Sequence, residues 1–208
     1  MSEMANSVTG SRPGKRERLV QSAQALMHEQ GVRRTTLADV AERADVPLGN
    51  VYYYFKTKDE LVGAVLDGYT REAAALLAGF ERRRSPKARL KALVDNWDSM
   101  RETVAQHGCP MGTLCGELYK SDGEAARDAA AVLAIIIDWA EDQFRQLGRR
   151  DARELALTLF AGIQGAALLA NTFRDPQILS RQGRQLKRWI DSIDSIGAPA
   201  DRVTNVPR

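Results

Sequence analysis

None of the chain's seven prolines (Pro13, Pro47, Pro86, Pro110, Pro176, Pro199, Pro207) interrupts a stretch with helical apolar spacing. An interior proline costs a helix about 3 kcal/mol, because its ring removes an N–H and collides with the preceding turn. Every proline therefore sits where a helix can begin or where the chain is already irregular. Helix-start signals fill the spaces between them. Thr36-x-x-Asp39, Thr57-x-x-Glu60, Ser121-x-x-Glu124 and Asp151-x-x-Glu154 have capping-box spacing or its acidic variant. Ser85-Pro86 and Asp175-Pro176 place a cap residue before a first-turn proline. Gly31 and Gly148 stand where helices should stop.

Between these marks the apolar residues recur at helical intervals. Leu19, Val20, Ala23, Leu26 and Met27 form one stripe; Leu37, Val40, Ala41 and Ala44 form another. No segment alternates with period two. The pattern predicts an all-α chain of about nine helices over 16–30, 37–44, 48–55, 58–81, 86–106, 110–120, 122–147, 151–173 and 176–195. Residues 1–14 and 197–208 are expected to be disordered tails.

A composition of 44% hydrophobic and 27% charged residues is that of an ordinary globular protein. No uncharged apolar run reaches the roughly 18 residues that span a bilayer; the longest candidate is Ala161–Ala170, so no membrane partner is expected. The opening MSEMANSVTGSRPG has no apolar signal-peptide core, and two cysteines are too few for a disulfide framework. Both point to the cytoplasm. A net charge of +3 permits an acidic partner without requiring one. Through Glu60 there are nine Lys/Arg against eight Asp/Glu, so any nucleic-acid argument rests on where the charges sit.

Two short helices joined at Ala44–Val46 have the layout of a helix-turn-helix, whose second helix can lie in the DNA major groove. In NVYYYFKTKDEL, Val51 and Phe55 are i, i+4 neighbours suited to the core. Leu48, Asn50, Tyr53 and Tyr54 are left facing outward, with Tyr52 at the margin, and Gly49 lets backbone come close to another surface. Asn50 suits an adenine edge, and tyrosine hydroxyls suit phosphate oxygens. Lys56 and Lys58 flank the helix start at Thr57 as a phosphate clamp, and Thr35 and Thr36 offer a second one. The same spacing also suits a helical subdomain with a solvated face.

Residues 15–66, and above all TTLADVAERADVPLGNVYYYFKTKDELVGAVL, strongly resemble the N-terminal domain of tetracycline-repressor (TetR/AcrR) family regulators. Thr36, Val40, Ala41, Ala44, Val46, Gly49, Tyr52, Phe55, Lys58 and Leu61 meet the family pattern. Asp45, Pro47 and Tyr54 stand where Gly, Ser and His are usual. The resemblance implies a DNA-binding domain over 15–60 and a helical ligand-binding and dimerisation domain over 61–196. It further implies a homodimer on a palindromic double-stranded operator, most often a repressor released by a small-molecule inducer. An activator of the same family is the alternative.

Residues 107–118, HGCPMGTLCGEL, resemble a G-C-P-x-G-x-L segment found in a subgroup of the family. Cys109-Pro110 reads first as helix-start geometry. A second reading makes Cys109 an electrophile or redox sensor with a thiol pKa lowered by the helix N-terminus. On the helices that line ligand pockets in the family lie Trp97, Met100, Cys109, Met111, Leu114, Tyr119, Ile136, Trp139 and Phe144. If they line one here, the ligand is apolar or aromatic. Leu155, Leu159, Gly162, Ala166, Leu169 and Phe173, with Leu186, Trp189, Ile190 and Ile193, form the candidate dimer interface; the same stripes suit packing within one subunit. No Ser/His/Asp grouping, glycine-rich phosphate loop or metal-ligand spacing is present, so neither enzyme, cofactor nor metal is expected.

Overall fold

The computed structural model describes residues 13–119 and 124–194. Most of both expected tails, and the Ser121 cap, lie outside them. Among the described residues there are ten α-helices and no strand: α1 (Lys15–Gln30), α2 (Leu37–Arg43), α3 (Leu48–Tyr54), α4 (Lys58–Phe80), α5 (Pro86–Ser99), α6 (Arg101–His107), α7 (Pro110–Leu118), α8 (Glu124–Gln146), α9 (Ala152–Phe173) and α10 (Gln177–Ser192).

The extra helix comes from a break in the predicted 86–106 segment. The Ser99 hydroxyl donates to the Asn96 carbonyl at 2.6 Å, while the Met100 N–H donates to the Trp97 carbonyl at 3.2 Å, one residue short of the α pattern. Met100 leaves the helical region at φ −97°, ψ 8°, and α6 starts afresh. A serine competing for a local carbonyl can do this without proline or glycine.

The caps follow the sequence with two exceptions. Thr36 and Asp39 form both halves of a capping box, Ser85 caps α5 through the Ala88 N–H, and Asp175 accepts from the Gln177 N–H at 2.9 Å. Thr57 caps the Glu60 N–H, but the Glu60 carboxylate returns to the Lys56 N–H at 2.7 Å. Asp151 caps nothing with its side chain, because Arg149 grips that carboxylate bidentately at 2.8 and 2.7 Å.

Two cores result. The first gathers Leu19, Ala23, Val40, Val51, Phe55 and Leu61–Leu66, and is closed by Leu114 and Leu118 of α7 with Ala129 and Val132 of α8. The second runs from Ala73 and Leu77 of α4 through Leu90, Trp97, Phe144, Leu159 and Ile190. Helix α4 belongs to both, so its N-terminal half packs with the head and its C-terminal half with the body. Each buried leucine or isoleucine contributes about 1.5–3 kcal/mol, which makes α4 a stiff connection. Helix α9 is long and apolar enough to cross a bilayer by length and composition, where the sequence run suggested none; Ala156, Leu159, Phe160, Ile163 and Ala167 bury one face of it in the second core.

Candidate nucleic-acid interface and ligand cavity

The turn between α2 and α3 is a Schellman motif. Val46 N–H donates to the Ala41 carbonyl at 3.0 Å, and Asp45 N–H donates to the Glu42 carbonyl at 3.1 Å. Asp45 sits at φ +52°, the left-handed conformation that glycine adopts most easily and Asp or Asn tolerate next best. Arg18 of α1 ties the turn down, its Nε donating to the Ala44 carbonyl and its Nη2 to the Asp45 carbonyl, both at 3.2 Å. Arg16 lies 5.3 Å from the Phe55 ring. Helix α3 is thus held from beneath by Val51 and Phe55, both buried. No side chain caps it, since Pro47 stands at the cap position.

The opposite face of α3 is open. Leu48, Gly49, Tyr52 and Tyr53 are exposed, Tyr53 at 78%, and Asn50 is half-buried. Tyr54 packs half-buried on the first core, edge-on to Tyr53 with ring centroids 5.1 Å apart. Beside this face the Lys56 Nζ donates to the Tyr52 carbonyl at 2.7 Å, and the Lys58 Nζ donates to the Arg33 carbonyl at 3.3 Å. Thr36 is exposed at the start of α2, where hydrogen bonds from the Thr36 backbone and hydroxyl hold the Asp39 carboxyl below its ordinary range.

A cavity of about 270 Å³ opens in the body between α4, α5, α7 and α8. Tyr69, Glu72, Ala73, Leu76, Leu77, Leu93, Asn96, Trp97, Met100, Pro110, Met111 and Ile136 line it. Helix α7 connects this cavity to the head. Its first residues, Pro110 and Met111, lie on the cavity wall, and Glu117 near its end accepts from the Val32 N–H at 2.9 Å and the Arg33 N–H at 3.4 Å. Gly31, at φ +88°, keeps the way clear, for a Cβ there would fall 2.7 Å from the Glu117 Oε1. The chain's two histidines meet at the same junction. Their ring centroids are 5.5 Å apart, and the His28 Nε2–H donates to the Gly108 carbonyl at 2.9 Å.

Residues 19–65 match the sequence profile of the bacterial regulatory proteins of the tetR family. A helix-turn-helix transcriptional regulator of Mycobacterium tuberculosis is 30% identical over 186 residues, covering 85% of this chain and 94% of that protein. The chain belongs to the TetR family. It is a DNA-binding transcriptional regulator. Residues 86–185 match the C-terminal domain of LmrA/YxaF-like transcriptional regulators. The regulator TtgR of Pseudomonas putida is 26% identical over 188 residues, covering 85% of this chain and 88% of that one. In fold, the TetR-family regulator superposes on a TetR transcriptional regulator from Legionella pneumophila with a TM-score of 0.77, at 20% identity, over 87% of this chain and 97% of that one.

Within this TetR-family head, two sequence expectations need correction. Thr35 is buried at 1% exposure and its hydroxyl donates to the Gly31 carbonyl at 2.8 Å, so it braces the α1–α2 turn and offers nothing to a phosphate. Tyr52 and Tyr54 exchange places: Tyr52 is the exposed ring and Tyr54 the marginal one.

The cavity takes in Trp97, Met100, Met111 and Ile136 from the sequence candidates, but not the other five. Phe144 is wholly buried against Trp189, and Leu114 belongs to the first core. Trp139 donates through Nε1 to Glu81 at 2.7 Å, and Tyr119 is 82% exposed. Cys109 is buried, its Sγ accepting from the Gly112 N–H at 3.2 Å as the cap of α7. Burial pushes this thiol's pKa up, which overturns the expectation of a lowered pKa. Cys115 is likewise raised by burial, to about 11. The α4 contribution, Tyr69, Ala73, Leu76 and Leu77, was missed, although its i, i+4, i+7, i+8 spacing marks a second apolar face. Among the described residues no three His, Cys, Asp or Glu side chains gather as a metal site.

The candidate dimer stripes divide. Leu159, Ala166, Leu186, Ile190 and Ile193 are buried inside the subunit, and Gly162 lets α10 approach, since a Cβ there would lie 3.1 Å from Leu186. Leu155 and Trp189 pack partly buried against the same core. Leu169 and Phe173 remain exposed, joined by Leu157 and Leu168, which the sequence reading did not select.

Proposed function

We propose that this TetR-family regulator is a homodimeric repressor. It binds a palindromic operator through α3 and is released when a small apolar or aromatic molecule fills the cavity. The observation that carries the reading is that cavity and head share two rigid parts, α4 and α7. A ligand pressing on Met111 or Leu77 acts on helices whose other ends hold the α1–α2 turn and the first core. Ligand binding then favours a head arrangement that no longer matches two half-sites about 34–36 Å apart, and the difference in affinity supplies the coupling.

On the head, Asn50, Leu48 and Tyr53 face the base edges, with Tyr52, Thr36, Lys56 and Lys58 toward the phosphates and Gly49 close to the backbone. The exposed Leu157, Leu168, Leu169 and Phe173 on α9 are the dimer contact, because large apolar side chains left in water on one helix favour a partner.

Nuclease footprinting on the DNA flanking its own gene tests the reading. A protected palindrome whose protection weakens with salt and with added ligand is expected. Protection indifferent to every ligand that calorimetry shows to bind would refute release by the cavity.

A further inference from the structure

The end of the body farthest from α3 carries a cluster of arginines. Arg82, Arg83 and Arg84 lie in the turn between α4 and α5, and Arg150 lies in the turn between α8 and α9. All four are exposed, and among the described residues none of their side chains makes a hydrogen bond or ion pair. Arg89 locks the first turn onto the end of α8. Its Nε donates to the Arg83 carbonyl at 3.2 Å, and its Nη1 donates to Gln143 and Gln146 at 3.2 and 3.0 Å. The cluster therefore gathers at one end of the body.

The carboxylates nearby are already engaged by other groups. Glu81 pairs with Arg89, Glu141 and Asp142 pair with Arg145, and Asp151 pairs with Arg149, on which Asp194 also acts. What remains is a group of like charges whose mutual repulsion a polyanion would relieve. The patch also lacks what a protein partner needs. Large apolar side chains exposed on the described residues lie on α3, at Tyr119 and on α9, not in the Arg82–Arg84 turn. Protein interfaces are anchored by buried aromatic and aliphatic groups, whereas guanidinium groups alone can hold a phosphate backbone. The 23 residues of α4 separate this patch from the head by about 34 Å, several times the roughly 8 Å screening length at physiological salt. It is thus electrostatically independent of the face of α3.

We propose that Arg82, Arg83 and Arg84, flanked by Arg150, form a second nucleic-acid contact that holds the phosphate backbone of a DNA duplex other than the one on the helix-turn-helix. One molecule then joins two DNA segments. The guanidinium groups take phosphate oxygens and read no bases, so this contact is indifferent to sequence.

Sedimentation velocity on the full chain at low salt tests this with two random-sequence DNA duplexes carrying different dyes. A species carrying both dyes is expected. The combined variant Arg82→Ala, Arg83→Ala, Arg84→Ala should form about tenfold less of it or lower, while keeping its helical content and its binding of a single duplex. The salt slope for capture of the second duplex should fall by about 3 in that variant, close to one counterion for each arginine. Lysine at the same three positions keeps the charge and should retain the two-dye species, which separates loss of charge from a folding defect. Absence of the two-dye species in the unaltered chain overturns the proposal, as does an undiminished one in the alanine variant. Poly-glutamate displacing the second duplex as well as unlabelled duplex of equal charge also overturns it and assigns the patch to an acidic protein surface.

Discussion

The Glu117 carboxylate accepts the Val32 N–H at 2.9 Å across the junction between the C-terminal helices and the N-terminal DNA-binding head. It also accepts the Arg33 N–H, in the turn whose Arg33 carbonyl receives Lys58. Removing it leaves two N–H groups without that acceptor. Glu117→Ala should cost about 1–3 kcal/mol, speed amide exchange at Val32 and Arg33, and weaken the ligand's effect on operator binding. Unchanged exchange at those two amides would show that the bond is not formed in solution.

Lys58→Ala should weaken binding to all DNA sequences and reduce the slope of log affinity against log salt by about 1. Asn50→Ala should instead relax base preference at one position of each half-site, worth about 1–3 kcal/mol of discrimination. Titrations of operator and scrambled DNA at several salt concentrations separate the two effects. A salt slope unmoved by Lys58→Ala would remove this lysine from the phosphate contacts.

Both thiols should be slow to alkylate in the native protein. Cys115 at about 11, with Cys109 raised by deeper burial, leaves little thiolate at pH 8. Iodoacetamide labelling should be far faster in denaturant than in buffer. Rapid native labelling of Cys109 would restore the electrophile-sensor reading.

Acidification should loosen the junction. His28 has its folded pKa lowered from 6.5, mainly by burial, with His107 adding to the fall and the Gly108 carbonyl and Glu29 opposing it. The unfolded chain therefore takes up the proton first. The stability from a neutral His28 is complete above about 6.5 and is lost as pH falls through the folded value. Urea midpoints at pH 7.5 and 5.5 should differ in the native protein, and by less in His28→Gln. An equal drop in both proteins would assign the acid sensitivity elsewhere.

Phe173→Glu should favour monomers in sedimentation velocity while keeping helical content, because the ring is exposed within the subunit. Leu159→Glu should unfold the chain, since it buries a charge in a side-chain site with no exposure. A Phe173→Glu protein that remains fully dimeric would place the interface on another face.

Asp45 illustrates how much could be read before any coordinates. Its position between the Val40–Ala41 stripe and Val46 marked the turn, while the left-handed conformation at φ +52° came only with the structure. Caps at Thr36, Thr57 and Ser85 were equally legible, because they depend on residues three apart in sequence. The break at Met100 was not: nothing in the spacing says that Ser99 will take the Asn96 carbonyl from its own helix.

The aromatic run shows where the division falls. At roughly 100° per residue, Val51 and Phe55 fix the buried side of α3, and Tyr53 must then face away from it. Tyr52 and Tyr54 lie at nearly equal angles on either side of the buried direction, so helical geometry cannot rank them. The packing of α3 on the first core decides, covering Tyr54 and leaving Tyr52 in water. The stripes of α9 and α10 are alike in this: the sequence determined that those faces are apolar, and only the packing of the helices decided that Leu159 and Ile190 are buried inside the subunit while Phe173 stays exposed. Period and capping are local properties carried by neighbouring residues; which of two apolar faces is covered depends on helices distant in sequence.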